Sequence, residues 1–333
     1  MNWGLIGAST IAAQHMIGAI RAQAGCDVVS VLSSSVERGQ AYAAEHGIAT
    51  ATTDLDALVT DPNIDAVYIS TTNEKHKSEA LTAIAAGKHV MCEKPLALNV
   101  ADAVEMVRAA DKAGVVFATN HHLRNAGSHL AIKDLIDAGR IGTVQAMRVH
   151  HAVYLPENLH GWRINNADAG GGVIPDIVVH DADTVRFYLG EDPVDVVAME
   201  RADSLGQGVE DSAMSVWTMP SGAMIQTHEG FTIRHAGTSI EVHGTEGSIF
   251  ARNVMTQRPV GQVVLQTAEG MFEVEFSKHG LYDRSMGLFV AAVGGKGAPS
   301  ATGIDGIKSL AVALAVKQAA TTGQRTTVDY AGY

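Results

Sequence analysis

Short apolar segments alternate with longer amphipathic ones through the first 120 residues, and this alternation limits the possible folds more than any other feature. The apolar segments have the length of buried strands, and the segments between them have helical periodicity. Strands that are apolar on both faces are typical of a parallel sheet with helices on both sides. We therefore predict strands at 2–6, 28–32, 66–70, 89–91 and 115–119, with helices between them.

After residue 120 the pattern changes to alternating strands separated by turn sequences such as Pro220-Ser221-Gly222. Consecutive strands joined by tight turns form an antiparallel sheet. A chain of 333 residues also exceeds the usual size of one domain. We predict an α/β protein in which a Rossmann doubly wound parallel sheet (1–120) precedes an α+β domain (121–333) built on a mainly antiparallel sheet.

The composition limits the partners. Asp and Glu outnumber Lys and Arg by 36 to 24, for a net charge of −12. A surface this acidic repels nucleic acid and anionic membranes. The sequence has no apolar run long enough to span a bilayer and no basic start followed by an apolar stretch. We expect a cytoplasmic monomer or small homo-oligomer that binds a small molecule, and neither nucleic acid nor membrane.

Cysteine and histidine give no sign of a metal centre. Cys26 and Cys92 are too few for a disulfide framework or a cysteine-based zinc site, and we expect both to be buried small hydrophobes. The pairs His121-His122 and His150-His151 suggest zinc, but adjacent residues on a strand point to opposite faces. We predict no metal.

The first predicted strand runs into the turn Gly7-Ala8-Ser9-Thr10-Ile11-Ala12. A dinucleotide fingerprint has glycine at its first two positions and glycine or alanine at the third, which here are Gly7, Ser9 and Ala12. Backbone amides at the helix start would bind a pyrophosphate. Ser9 departs from the pattern and adds a hydroxyl donor. A tight turn without a ligand fits the motif equally well.

Serines and an arginine follow the second strand, where NAD-binding proteins usually have an acidic residue for the ribose 2′-hydroxyl. The sequence there is Ser33-Ser34-Ser35, then Arg38. No carboxylate repels a 2′-phosphate, and hydroxyl and guanidinium groups bind one well. We predict that Ser33, Ser34 and Arg38 favour NADP(H) over NAD. Serines that only cap the next helix, with a solvated Arg38, are the alternative.

Polar residues also follow the next two strands. Ligands of doubly wound sheets bind beyond the carboxyl ends of the strands, where Thr71-Thr72-Asn73 and His76 stand. In Glu93-Lys94-Pro95 the proline restricts Lys94 to an extended conformation, and this lysine could donate to a carbonyl oxygen. Glu93 would orient Lys94 or contact the cofactor. Helix capping and an ordinary surface ion pair are the alternatives.

In the second part of the chain, Gly170-Gly171-Gly172 precedes Asp176, His180 and Asp183. Their i, i+4, i+7 spacing would place the three side chains on one helix face. An acidic neighbour can keep an imidazole protonated near neutral pH, so His180 is a candidate proton donor. The glycines would let the backbone approach a ligand closely. An acid-rich helix start with a surface histidine is the alternative.

Together these segments resemble the glucose–fructose oxidoreductase/inositol dehydrogenase/rhizopine-catabolism family over most of the chain. The resemblance implies that Lys94 binds the substrate oxygen, that His180 donates the proton and that Asp176 positions the substrate or His180. It also implies a larger set of cofactor contacts, with the last three reaching in from the second domain. This set is Gly7, Ser9, Thr10, Ile11, Ala12, Ser33, Ser34, Arg38, Thr71, Thr72, Asn73, Glu74, Lys75, His76, Glu93, Lys94, Asn120, Trp162, Arg163 and Tyr282.

We therefore predict an NADPH-dependent oxidoreductase that reduces a cyclic sugar-like ketone, with Lys94 and His180 meeting beside the reactive ring. The same-class alternative is an NAD-dependent polyol or inositol dehydrogenase that works in the oxidative direction. The alternative from another class is a noncatalytic NADP(H) or sugar sensor on the same fold. A sensor has no chemical need for both Lys94 and His180.

Overall fold

A computed structural model describes residues 1–202 and 204–333. The chain divides into two compact units. The first comprises Met1–His122 and Tyr282–Ile307, and the second Leu123–Leu281 and Lys308–Tyr333. Residues 282–307 were predicted to lie in the second domain, whereas their contacts group them with the first unit.

The first unit contains a six-stranded, wholly parallel sheet. Its strands are β1 Asn2–Ile6, β2 Asp27–Leu32, β3 Thr50–Thr52, β4 Ala66–Ile69, β5 His89–Cys92 and β6 Phe117–Thr119. The spatial order β3-β2-β1-β4-β5-β6 is that of a doubly wound nucleotide-binding sheet, whose strand order reverses at β1 and β4. All of β4 is buried, which explains its continuous apolar sequence. The predicted Rossmann sheet is confirmed.

Helices connect these strands. They are a π-helical turn Ala12–Met16 leading into α1 Ile17–Arg21, then α2 Val36–His46, α3 Leu55–Val59, a 3-10 turn Asn73–Lys75 leading into α4 His76–Ala85, and α5 Val100–Ala113. The side chain of Ser35 caps α2, and that of Asn99 caps α5. Gly47 and Gly114 end these helices in the left-handed conformation.

The segment that returns to the first unit begins with α9 Leu281–Val293 and ends in the first turns of α10 Gly303–Thr322. Within that unit Phe289 packs on Trp3 of β1, with ring centroids 5.2 Å apart and both side chains fully buried. At the sheet edge, Thr119 of β6 donates its backbone N–H to Ala301 O at 3.3 Å. The apolar ring of Phe289 and the unpaired edge of β6 thus explain why the segment returns.

The second unit contains a nine-stranded sheet in the order β14-β13-β12-β11-β7-β10-β9-β8-β15. Its strands are β7 Val144–Ala152, β8 Asp195–Arg201, β9 Ser212–Thr218, β10 Met224–Gly230, β11 Ser239–Gly244, β12 Gly247–Arg252, β13 Gln262–Thr267, β14 Gly270–Glu273 and β15 Thr326–Thr327. All neighbours are antiparallel except β7 and β10, which are parallel. The predicted, mainly antiparallel sheet is confirmed.

One face of this sheet is buried and the other is open. Along β10, Ile225, Thr227 and Glu229 are buried, whereas Met224 and Gln226 are exposed. The helical elements of the unit are α6 Gly127–Asp137, α7 Trp162–Asn165, a π-helical turn Ile174–Val178 that continues as α8 Val179–Leu189, and 3-10 turns at His122–Asn125 and Glu157–Leu159. Because side chains alternate between the faces, a polar residue at a buried position of β7 or β10 lies in the core.

Candidate active site

The turn after β1 has the geometry of a nucleotide-binding turn. Gly7 has φ +111°, and a Cβ atom there would lie 3.2 Å from the carbonyl carbon and oxygen of Ser70. The Oγ atom of Ser9 lies 2.7 Å from that of Ser70 and accepts the backbone N–H of Ala12 at 3.2 Å. The residue that departs from the fingerprint therefore ties the turn to the end of β4 and to the following helix.

The amides at this helix start are available for a ligand. Among the residues that the structure describes, the backbone N–H groups of Thr10 and Ile11 find no protein acceptor. Such amides carry partial positive charge from the helix dipole and bind anions. The turn therefore fits the pyrophosphate of a dinucleotide.

Side chains from α2 hold the same turn. Arg38 donates from Nη2 to Ala8 O at 2.7 Å, and Tyr42 donates from its hydroxyl to Ser9 O at 3.0 Å. Arg38 Nη1 also lies 3.5 Å from the Oγ atom of Ser34, and both Ser34 and Arg38 are exposed. This places a guanidinium and a hydroxyl beside the nucleotide turn, as a 2′-phosphate site requires.

Ser33 lies differently from what the sequence suggested. Its side chain is only 6% exposed, and its hydroxyl finds no hydrogen-bond partner in residues 1–202 or 204–333. Its backbone N–H donates to Thr52 O at 2.9 Å. The hydroxyl of Ser33 is therefore buried, whereas Ser34 and Arg38 are exposed, and the predicted cofactor contact of Ser33 stays a prediction.

The loop after β4 is held by buried polar side chains. Thr71 donates its hydroxyl to Glu79, and burial raises the pKa of Glu79 to about 7. His76 is fully buried, with Nδ1 3.0 Å from Pro95 O and Nε2 3.3 Å from Thr71 O. Burial lowers the pKa of His76, and a neutral imidazole donates to only one of these carbonyls. His76 thus joins the two loops, and its predicted contact with the cofactor stays a prediction.

The rest of that loop differs in exposure. Glu74 and Lys75 are exposed, and Asn73 is buried. The hydroxyl of Thr72 donates to Glu74 at 2.6 Å. The hydroxyls of Thr71 and Thr72 are thus both engaged with glutamates of the following helical segment.

The carboxylate of Glu93, just past β5, is fixed by three donors. Its Oε1 atom accepts from the hydroxyl of Tyr68 at 2.5 Å and from Nδ2 of Asn120 at 2.6 Å, and its Oε2 atom accepts from the backbone N–H of Lys94 at 3.3 Å. Burial and the neighbouring Glu93 raise the pKa of Tyr68 well above its usual range, so the phenol remains a donor. This arrangement anchors Lys94, whose peptide bond to Pro95 is cis.

Tyr282 belongs to the first unit and not, as predicted, to the second domain. Its ring is stacked between the imidazoles of His15 and His122, with centroid distances of 4.6 and 5.3 Å and interplanar angles of 15°. His15 lies in the π-helical turn that follows the nucleotide turn. Such turns are frequent at functional sites.

In the second unit the glycine run Gly170-Gly171-Gly172 packs closely against the Trp162–Arg163 turn. A Cβ atom at Gly171 would lie 2.4 Å from Trp162 O, and Gly172 donates its N–H to Arg163 O at 2.8 Å. Arg163 lies 4.5 Å from the Trp162 ring and 3.5 Å from Oδ2 of Asp176. The glycines thus position the Trp162–Arg163 turn, which in turn pairs with Asp176.

His180 lies on α8 and is 7% exposed. The π-helical turn that contains Asp176 ends before His180, so the two do not share one regular helix as predicted. Asp183 accepts a two-pronged hydrogen bond from Arg124, at 2.7 Å to each oxygen. The imidazole of His151 lies beside His180, with ring centroids 6.2 Å apart. Sequence reasoning missed His151, although its buried position on β7 could have indicated it.

Neither metal binding nor membrane insertion finds support in the described part of the chain. Within residues 1–202 and 204–333, no three or more His, Cys, Asp or Glu side chains are grouped so that they could hold a metal ion. None of the helices described is both long and apolar enough to cross a membrane. Cys92 is a buried free thiol, and burial raises its pKa.

A doubly wound sheet with this turn is typical of dinucleotide-binding proteins, and comparison with known families places the chain among oxidoreductases. The oxidoreductase family with an NAD-binding Rossmann fold matches residues 1–121, and the GFO/IDH/MocA C-terminal domain matches residues 129–250. The chain belongs to the GFO/IDH/MocA family, which confirms the predicted resemblance.

Individual relatives are sugar and polyol enzymes. The chain is 55% identical over 329 residues to 1,5-anhydro-D-fructose reductase of Ensifer adhaerens, covering 98% of each chain. It is 31% identical over 335 residues to inositol 2-dehydrogenase of Rhizobium meliloti (strain 1021), covering 94% of each. The crystal structure of aldose–aldose oxidoreductase from Caulobacter crescentus, complexed with glycerol, matches with a TM-score of 0.89 at 25% identity, covering 98% of this chain and 99% of that one.

Proposed function

We propose that the protein reduces 1,5-anhydro-D-fructose to 1,5-anhydro-D-mannitol with NADPH. The supporting observation is its 55% identity, over 98% of both chains, to 1,5-anhydro-D-fructose reductase of Ensifer adhaerens. Identity at this level over both units favours a common substrate more strongly than the 31% identity to inositol 2-dehydrogenase favours a polyol.

The cofactor would be held by the turn after β1 and the start of α2. The amides of Thr10 and Ile11 bind the pyrophosphate, and Ser34 and Arg38 bind the 2′-phosphate. Arg38 is held over the turn by its bond to Ala8 O, so little side-chain freedom is lost on binding. When bound, NADPH supplies the hydride for the reduction.

The preference for NADPH is tested with Arg38→Ala. Loss of a charge-assisted bond to phosphate costs about 1.5–3 kcal/mol, so the dissociation constant for NADPH should rise roughly ten- to hundredfold. The constant for NADH should rise less, because NADH loses only the support that the Arg38–Ala8 bond gives to the turn and no phosphate contact. Lys112→Ala, at an exposed position on α5, is the matched control. Equal affinities of the unmodified enzyme for NADPH and NADH would contradict the assignment.

The chain's own groups would complete the reaction at the carbonyl. Lys94 donates a hydrogen bond to the carbonyl oxygen and stabilises the negative charge that develops there. His180 gives its proton to that oxygen as the hydride adds to the carbonyl carbon, so the product is a secondary alcohol and the imidazole is neutral. Solvent then reprotonates His180. Asp176, paired with Arg163, positions the substrate or His180.

These roles are tested by NADPH oxidation with 1,5-anhydro-D-fructose. Lys94→Ala and His180→Ala should each lower kcat by roughly two to four orders of magnitude. Lys112→Ala and His235→Ala, both at exposed positions, should turn over normally. NMR of the product distinguishes the mannitol from the glucitol epimer. Normal turnover in both Ala variants, or oxidation of myo-inositol in preference to ketose reduction, would overturn the proposal.

A further inference from the structure

Three buried ionisable side chains meet on the inner face of the nine-stranded sheet. They are His151 on β7, Asp181 on α8 and Glu229 on β10, which we call the carboxyl–imidazole cluster. Their exposed fractions are 7%, 0% and 0%. His151 and Glu229 are direct neighbours in the parallel β7–β10 pair, and Nδ1 of His151 lies 2.7 Å from Oδ1 of Asp181.

At most one of the two carboxyl groups is ionised. Burial raises the pKa of both Asp181 and Glu229 well above the usual range, and the charge of Asp181 raises that of Glu229 further. Ionising two neighbouring carboxyl groups that are both buried away from water costs a large free energy. Asp181 has a donor in His151, whereas neither oxygen of Glu229 accepts a hydrogen bond from the described residues. Because an N–H donor lies beside Asp181 and, within the described part of the chain, none lies beside Glu229, Asp181 is the carboxyl group better able to carry a negative charge, and Glu229 is the one that keeps its proton.

This assignment fixes the state of His151. Because Asp181 accepts at Nδ1, that nitrogen carries a proton, and the tautomer of the imidazole is determined. The ring of His151 lies beside that of His180, and Asp181 follows His180 in the chain. The cluster thus reaches the candidate proton donor through the imidazole of His151.

The other acids near His180 are balanced by arginines. Asp183 is bound by Arg124 at 2.7 Å and lies 4.0 Å from Arg186, and Asp176 pairs with Arg163 at 3.5 Å. Within the described residues, no arginine or lysine pairs with Asp181, whose carboxyl group contacts Nδ1 of His151 at 2.7 Å. The ionisable groups on α8 and on the elements packed near it include His129 of α6, His151 of β7, Asp176 of the π-helical turn, Asp181 and Asp183 of α8, and Glu229 of β10. Burial lowers the pKa of His129 to about 4, so His129 is neutral.

We propose that the carboxyl–imidazole cluster is a positioning device for His180. The charge of Asp181, held in place by His151, stabilises the protonated form of His180 that donates to the substrate. Asp181 and His151 are positioning residues, because they act through His180, whereas Glu229 is a neutral neighbour. The proposal rests on the function proposed above, in which His180 is the proton donor.

The test separates charge from structure with near-isosteric variants. Asp181→Asn removes the charge but keeps the shape. The alkaline limb of the pH profile of kcat/KM should then move down by about one unit, because an imidazolium without a nearby anion loses its proton more readily. Glu229→Gln, neutral like the protonated acid, should leave the profile unchanged. Ser215→Ala, which removes a buried hydroxyl from the same sheet face, should cost stability without moving the profile.

His151 provides a second, independent pair. His151→Ala removes the donor to Asp181 and should shift the profile as Asp181→Asn does. His151→Asn keeps an N–H group near the Nδ1 position and should restore the unmodified profile. This pair of variants tests the role of the cluster even if Asp181→Asn does not fold.

A readout without turnover separates this proposal from the proposed function. NMR titration of histidine-labelled protein, with the His180 signal assigned by its loss in His180→Gln, measures the proton affinity of His180 directly. A downward shift in Asp181→Asn and His151→Ala supports the cluster's role even if no sugar ketone is reduced. An unchanged His180 titration in both, or an equal shift in Glu229→Gln, overturns it.

Discussion

Replacing Tyr68 by phenylalanine should destabilise the first unit through a single lost hydrogen bond. Tyr68 is fully buried and donates to the charged Glu93, whose other donors remain in place. Phenylalanine keeps the ring in the core, so no large cavity forms. A hydrogen bond to a charged group contributes about 1.5–3 kcal/mol, and we expect the free energy of unfolding to fall by about 2 kcal/mol.

The assay uses the position of Trp3. The chain has three tryptophans, and with Trp162 and Trp217 replaced by phenylalanine the remaining one reports on the first unit, where it packs on Phe289. Urea unfolding followed by Trp3 fluorescence then measures the stability of this unit.

A double-mutant cycle with Glu93→Gln isolates the bond. We expect a coupling free energy of about 1.5 kcal/mol between Tyr68 and Glu93. Tyr330→Phe, which removes a hydroxyl bonded to Pro193 O in the second unit, should leave the Trp3 transition unchanged. A coupling near zero would refute the view that Tyr68 anchors the carboxylate.

Two further variants test the nucleotide turn and the loop beside it. Gly7→Ala should raise the NADPH dissociation constant at least tenfold, because φ +111° strains an L-residue and the new Cβ meets Ser70. The control is Gly18→Ala, whose new Cβ meets nothing within 4 Å and which should bind NADPH as the unmodified protein does. Equal NADPH affinities of the two variants would contradict this prediction. For Glu79, the folded-state pKa of about 7 exceeds the ordinary 4.5, so the folded state binds the proton more tightly and stability should fall as pH rises through this window, by on the order of 3 kcal/mol. Glu79→Gln should flatten that dependence in urea unfolding between about pH 5 and about pH 8, and exposed Glu45→Gln should not.

The strands of the first unit were largely predictable because a strand buried on both faces needs a continuous apolar sequence. β1 begins and ends at the predicted residues, and β4 differs by one residue at its end. Both are buried on two faces, so their apolar runs are unambiguous. The strand Thr50–Thr52 was missed because it is short, polar and partly exposed at the sheet edge.

The candidate site was less predictable because its side chains depend on distant partners. Tyr68 bonds a residue 25 positions away, and His151 bonds one 30 positions away. No local periodicity encodes such pairs. Ser33 likewise looked available in sequence, but its strand-end position turns the hydroxyl inward beside Gly39.

The return of residues 282–307 to the first unit affects how a nascent chain can fold. All six parallel strands leave the ribosome early, whereas Phe289, which covers Trp3, is made far later. During elongation the indole of Trp3 therefore lacks its contact with Phe289, and exposed apolar surface of this kind is a binding site for chaperones. The first unit is therefore completed by a segment that is synthesised after most of the second unit.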